Sequence, residues 1–286
     1  MDVAFFSSVR EYHNRKAEFD AAISRVLEKG DFILGGAVKE LEEGITKYTG
    51  AKYAAGCGNG SDALVLASEA AGFRDGAEVI TPVFTFFASA SCIARLGGRP
   101  VFCDIDEDSF CMDMDKAAGL VTERTKGLLP VHLFCQMADM NAAQRIAEDN
   151  KLAVVEDAAE AFGMRQRIGG RDMSAGIIGQ SGVYSFFPTK TLGGYGDGGM
   201  VITGSEEVYG RVRSLRVHGA TKKYHHDYIG YNSRLDTLQA AILNVKLRKI
   251  DESIALRKKF ADQYRELLAG IDQIRLPVVK DVPILQ

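Results

Sequence analysis

Residues 78–106 read EVITPVFTFFASASCIARLGGRPVFCDID. A short β-branched run ending in proline (78–82) gives way to helix-like apolar spacing (86–97), and a glycine pair leads into a second short apolar run (99–106). Strand, helix, strand at this spacing is the unit that joins parallel neighbours of one sheet. The pattern continues on either side. KGLLPVHLF (126–134) and LAVVEDA (152–158) predict further strands, while ALVLASEAAG, MDKAAGLVT and NAAQRIAEDN carry helical periodicity between the runs. GVYSFF (182–187) and GMVITG (199–204) predict two more strands, the second followed by a helix through SEEVYGRVRSLRV.

Residues 14–50 read as amphipathic helices around a GDFILGG turn, and Arg234 to Leu268 as one long helical stretch. Such alternation predicts an α/β fold with a mainly parallel sheet covered on both faces. A domain change is expected near 240–250, dividing 1–245 from 246–286, and the chain stops at VPILQ soon after what reads as the first strand of a second domain, which looks incomplete. The chain has 286 residues, 46% of them hydrophobic, and a net charge of -3, which lacks the basic excess of a nucleic-acid binder. Its five cysteines are odd in number and show no CxxC spacing, so neither a disulfide framework nor a zinc site is expected, and a cytoplasmic setting is. The N-terminus lacks a secretory signal pattern, and no apolar run is long enough for a membrane span.

Ligands of open parallel sheets sit beyond the carboxyl ends of the strands, so polar residues there carry the functional reading. GNGSDAL (58–64) precedes a helix, where glycines and free N–H groups suit a phosphate and Ser61 adds a hydroxyl; an ordinary N-cap fits the same residues. Asp157 ends an apolar strand, with Glu160 three residues on. A carboxylate there requires a partner, such as a protonated ring nitrogen, or else caps the next segment. Phe84, Phe86 and Phe87 follow another strand end as core residues or as a stacking face for a flat heterocycle, Phe86 being the candidate. In SFFPTKTLGGYGDGGM (185–200), Ser185 and Lys190 stand before glycines that leave room above the lysine. An amine in a poorly solvated pocket near other cations is kept nucleophilic and forms imines. Phosphate cradle, strand-end aspartate, aromatic and lysine together describe a pyridoxal 5'-phosphate (PLP) site, with Lys190 as anchor and Asp157 at the ring nitrogen. His132 is read either as a neighbour of that cofactor or as a packed core histidine.

FILGGAVKELEE, GNGSDAL, ITPVFTFFASA, PVHLFCQMADM, VVEDAAEAFG, YSFFPTKTLGGYGDGGM and GYNSRLDTLQAAIL, in this order, resemble the DegT-like nucleotide-sugar aminotransferases of fold type I. The resemblance implies a large domain with a mixed, seven-stranded type of sheet and a smaller C-terminal α/β domain. It implies exchange of an amino group between glutamate and a nucleotide-linked keto-sugar, the cofactor cycling through pyridoxamine 5'-phosphate (PMP). By carry-over, Lys190 is catalytic; Gly60, Ser61 and Ser185 hold the phosphate with Asp62 in support; Phe86 stacks and Asp157 meets the ring nitrogen. Glu160 falls where many members have Gln or His. Asn232 and Arg234 approach the cofactor phosphate or substrate across a homodimer interface, and Tyr224 and His225 belong to a substrate loop. RVHG, YHH and NSRLD look most like the branch aminating 3-keto sugars, including a UDP-linked 2-acetamido-3-keto-glucuronate, in surface polysaccharide or glycan assembly. No metal is expected. A PLP-dependent sugar dehydratase, which replaces the lysine with histidine, and a non-catalytic PLP-binding regulator are the competing readings.

Overall fold

The computed structural model describes residues 6–278. Three helices open the chain: α1 (Val9–Asn14), α2 (Lys16–Lys29) and α3 (Gly36–Thr49). Then come β1 (Tyr53–Cys57), α4 (Gly60–Ala70), β2 (Glu78–Pro82), α5 (Ala88–Arg95), β3 (Arg99–Cys103), α6 (Met114–Gly119), β4 (Thr125–Leu128), α7 (Met140–Asn150) and β5 (Ala153–Asp157). A two-stranded excursion, β6 (Arg165–Ile168) and β7 (Arg171–Ser174), precedes β8 (Ser181–Ser185), β9 (Gly199–Thr203) and α8 (Glu206–Leu215). A small hairpin, β10 (Ala220–Lys222) and β11 (His225–His226), leads to α9 (Thr237–Leu247) and α10 (Ile250–Leu268).

Seven strands form one sheet in the order β1-β9-β8-β5-β4-β2-β3. All neighbours are parallel except at β9, which runs against both β8 and β1. Every residue of β2 and β9 is buried, as a sheet with helices on both faces requires. The expected strands over 78–82, 99–106, 152–158, 182–187 and 199–204 are present within their predicted runs or a residue beyond them. The run 126–134 becomes only β4, because Pro130 has no N–H to continue a ladder; beyond it Val131 bridges to Asp157 and the His132 N–H donates to the Asp157 carbonyl.

α9 is packed against α2 and α3, whereas α10 buries only Ile250 and Ile254 among its nineteen residues. The long helix expected from Arg234 to Leu268 is thus two, broken at Arg248–Lys249, where Lys249 leaves helical geometry (φ -125, ψ 22). The first strand of a second domain, expected shortly before VPILQ, is not formed over 271–278, and VPILQ itself lies outside the described residues. Helix starts carry their own caps: Asn59, Asp113, Asp139 and Ser205 each accept an N–H of the first turn of α4, α6, α7 and α8, a contribution of about 1 kcal/mol apiece.

Candidate active site

The carboxyl ends of β1, β2, β5 and β8 converge on a cavity of about 450 Å³. Gly60, Ser61, Phe86, Asp157, Glu160, Ser185 and Lys190 all line it.

One wall is the turn from β1 into α4. The Gly58 N–H donates to Ser233 Oγ at 3.1 Å, and Asn59 Oδ1 accepts the Asp62 N–H at 2.8 Å. The N-cap of α4 is therefore Asn59. Gly60 and Ser61 are the first two helical residues, so their N–H groups have no intrahelical acceptor and are free for an anion. A Cβ on Gly60 would fall 2.6 Å from Ser185 Cβ, so glycine permits β8 and α4 to bring the Ser61 and Ser185 hydroxyls to one wall.

Asp157 ends β5 and is 5% exposed. Its carboxylate accepts the Ser89 hydroxyl at 2.7 Å and the Ala159 N–H at 3.2 Å, and forms no salt bridge with a described residue. Burial pushes its pKa above the usual 3.8, opposed by the Ser89 and Ala159 hydrogen bonds and by Lys190 and His132 at longer range. A buried carboxylate held only by neutral donors is suited to a cationic ring N–H.

Lys190 follows β8. Its Nζ donates to Glu160 Oε1 at 2.9 Å, and Glu160 Oε2 accepts the Phe134 N–H at 3.1 Å. The nearest charge is thus a carboxylate, in contrast to the cationic surroundings expected from sequence. The glycines after the lysine are required by close approach: a Cβ on Gly193 would lie 2.4 Å from the Pro188 carbonyl. Gln239 Oε1 accepts the Tyr195 N–H at 2.9 Å and fixes the far end of this loop on α9. Phe86 is 73% exposed in the cavity wall, which leaves its ring available for stacking.

His132 borders the cavity but is fully buried, and the two readings left open for it are resolved by its partners. Nδ1 accepts the Ala138 N–H at 3.1 Å, so Nε2 carries the proton given to Glu156 Oε2 at 2.9 Å. Glu156 also accepts N–H groups of Gly176, Ile178 and Gly179 at 2.9, 2.6 and 2.6 Å. This network, on the side of β5 opposite Asp157, ties β5 to the segments on either side. Sequence reading missed Glu156, although a second acidic residue in the apolar run VVED signals a buried carboxylate with dedicated donors.

The other candidates lie outside this cavity. Asp62 is 3.9 Å from Arg95 and contributes its backbone to the cap. Tyr224, 83% exposed with φ 67, turns the hairpin between β10 and β11, and His225 is exposed beside it. Asn232 is exposed and bridges to Val217; Arg234 is half-buried. A second cavity, about 530 Å³ and lined by Asp113, Asp139, Arg145 and Arg167, has two of its carboxylates committed as helix caps. No group of three or more His, Cys, Asp or Glu among the described residues could hold a metal ion, and none of their helices is long and apolar enough to cross a membrane.

Free helix-start N–H groups, a buried aspartate without a cationic partner, an exposed aromatic face and a lysine in one cavity fit PLP, group for group. This sheet and site define a fold type I PLP-dependent aminotransferase. Residues 13–283 match the DegT/DnrJ/EryC1/StrS aminotransferase family, and the chain belongs to it. It is 47% identical over 268 residues to a "Pleiotropic regulatory protein" of Geobacillus stearothermophilus, covering 94% of this chain and 71% of that one. It is 45% identical over 249 residues to a UDP-2-acetamido-2-deoxy-3-oxo-D-glucuronate aminotransferase of Pseudomonas aeruginosa, covering 87% and 68%. Its structure is similar to that of DesV from S. venezuelae in complex with a ketimine intermediate, with a TM-score of 0.93, 40% identity and coverage of 98% and 74%.

Proposed function

We propose that this chain transfers the amino group of glutamate to the keto carbon of a nucleoside-diphosphate sugar, a 3-keto sugar such as UDP-2-acetamido-3-keto-glucuronate, for polysaccharide or glycan assembly. The names of the Pseudomonas relative and of dTDP-3-amino sugar transaminases of 38–41% identity support that substrate class. The observation that carries the reading is the meeting of Lys190, Glu160 and Asp157 in one cavity. Glutamate and keto-sugar become 2-oxoglutarate and amino-sugar, an exchange of nitrogen for oxygen that needs no outside oxidant.

When bound, PLP supplies an aldehyde carbon and a ring that accepts electron density. In this reading Gly60, Ser61 and Ser185 bind its phosphate and Phe86 covers one ring face. The Asp157 carboxylate holds a proton on the ring nitrogen. Lys190 Nζ would anchor the group and would carry protons between donor and acceptor carbons, with Glu160 Oε1 placed to take or return one. Asn232 and Arg234 are assigned to the cofactor phosphate or substrate of a neighbouring copy's cavity in a cytoplasmic homodimer, Asn232 to the cofactor, and Tyr224 and His225 to a substrate-binding loop. None of the four lines the chain's own cavity, and Asn232, Tyr224 and His225 are exposed, which supports that assignment.

The name of the Geobacillus relative favours a second reading, a PLP-binding regulator. The presence of Lys190 with its proton partner Glu160 favours catalysis. Incubation with glutamate and a panel of nucleotide keto-sugars, read by mass spectrometry, is expected to yield an aminated sugar. Cofactor that binds but is never converted to PMP by any amino donor contradicts the transaminase reading.

A further inference from the structure

Two hydroxyl groups stand in line with the Asp157 carboxylate. Ser89, on the first turn of α5, is fully buried behind the cavity wall. Its hydroxyl donates to Asp157 Oδ2 at 2.7 Å. Thr85 Oγ1 lies 3.0 Å from Ser89 Oγ, and Thr85 itself lines the cavity, half-buried, one residue before Phe86.

The order of donors follows from counting protons. A serine hydroxyl has a single proton and a carboxylate can only accept, so the Ser89 proton is committed to Asp157 and the Thr85 hydroxyl donates to Ser89. Each bond of such a chain polarises the next where water is excluded. The relay therefore favours the anionic form of Asp157, in opposition to burial. Thr85 is not spent as a helix cap, since α5 begins at Ala88 with no side-chain cap bond.

The backbone of Ser89 makes a second connection, its N–H donating to the Phe86 carbonyl at 3.2 Å. One buried residue thus joins the segment that carries the Phe86 ring to the carboxylate at the end of β5. The other titratable groups around Asp157 are committed or neutral. Lys190 is paired with Glu160, His132 gives its Nε2 proton to Glu156, and burial pushes the Cys92 thiol up to about 12.

We propose that Ser89 and Thr85 are positioning residues for the cofactor ring: Ser89 fixes the spacing between the Asp157 carboxylate and the Phe86 face, and Thr85 completes a relay that favours Asp157 as the anion opposite a protonated ring nitrogen. This deepens the assignment of Asp157 given above and rests on it.

The test compares equilibrium binding of PLP with that of its deaza analogue, in which a C–H group replaces the ring nitrogen and offers Asp157 no proton. Wild type is expected to prefer PLP. Ser89→Ala is expected to weaken PLP roughly ten- to hundredfold and Thr85→Val roughly two- to tenfold, while both leave the analogue within about twofold. In cofactor-free protein carrying carboxyl-labelled aspartate, the Asp157 NMR signal, identified by its loss in Asp157→Asn, is expected to titrate at higher pH in Ser89→Ala than in wild type. Equal losses for PLP and the analogue would make the two hydroxyls mere packing groups and overturn the inference. Unchanged PLP affinity in both variants, or an unmoved Asp157 titration, overturns it as well. Thr85→Val, on the cavity wall, decides alone if Ser89→Ala does not fold. A wild type that binds PLP and the analogue equally well removes Asp157 from the ring nitrogen, and this inference with it, while transamination still stands.

Discussion

Lys190 Nζ and Glu160 Oε1 are 2.9 Å apart, and the second Glu160 oxygen is fixed by the Phe134 N–H at 3.1 Å. The carboxylate is thereby oriented from behind and presents one oxygen to the lysine. Glu160→Gln keeps an acceptor for Phe134 but cannot take a proton. Amino transfer is expected to fall roughly a hundredfold with cofactor content unchanged. Single-turnover kinetics at saturating glutamate would check this; a wild-type rate in the variant would remove Glu160 from the proton path.

Burial in the fold disfavours the charged form of Asp157 more than its Ser89 and Ala159 hydrogen bonds favour it. Its folded pKa lies above the usual 3.8, so the folded chain binds more protons than the unfolded one in the window above 3.8. The cofactor-free protein therefore loses stability as pH rises through that window. Cofactor-free Asp157→Asn is expected to melt above wild type at neutral pH, by about 2–4 °C per kcal/mol recovered, the gap closing towards pH 4. The same variant is expected to bind PLP weakly. Calorimetric scans of both proteins across pH decide the matter, and a lower melting temperature for the variant at neutral pH would reverse the sign of the effect.

Gly60→Ala places a Cβ within 2.6 Å of Ser185 Cβ and 3.2 Å of Ser185 Cα. Part of that contact is backbone, so α4 and β8 must separate and the phosphate wall opens. PLP affinity is expected to drop at least about tenfold while far-ultraviolet circular dichroism stays native. Unaltered affinity, measured by equilibrium titration, would mean that this wall does not hold the phosphate.

Phe86 contributes an exposed ring and little packing. Phe86→Ala is expected to change cofactor-free stability by no more than about 0.5 kcal/mol, yet to weaken PLP by the roughly 1 kcal/mol of an aromatic contact. Denaturant melts with and without cofactor separate the two effects. Equal destabilisation in both would make Phe86 a core residue after all.

Much of the fold and site is legible in the sequence because the informative residues sit where the chain changes structure. Asp157, Lys190 and Gly60 each follow or end a strand, and strand ends announce themselves through apolar runs followed by glycine or charge. β1 is not among the predicted strands, since Ala54, Ala55 and Gly56 carry little strand preference; it forms because β9 pairs with it along its whole length. The β6–β7 hairpin is hidden by its polar strands, RQRI and RDMS, and is set by the Gly169–Gly170 turn at positive φ. The His132–Glu156 pair depends on long-range neighbours that no local pattern encodes. Lys190 is expected among cations, yet its hydrogen-bond partner is three residues beyond Asp157, a proximity created only by the alignment of β5 with β8.

The central claim is that Lys190 carries the cofactor. Borohydride reduction of the freshly purified holoenzyme, followed by digestion and peptide mass spectrometry, is expected to find the pyridoxyl adduct on the peptide containing Lys190, and none in Lys190→Ala. An adduct on another side chain, or a reconstituted protein that takes up no PLP, would contradict it.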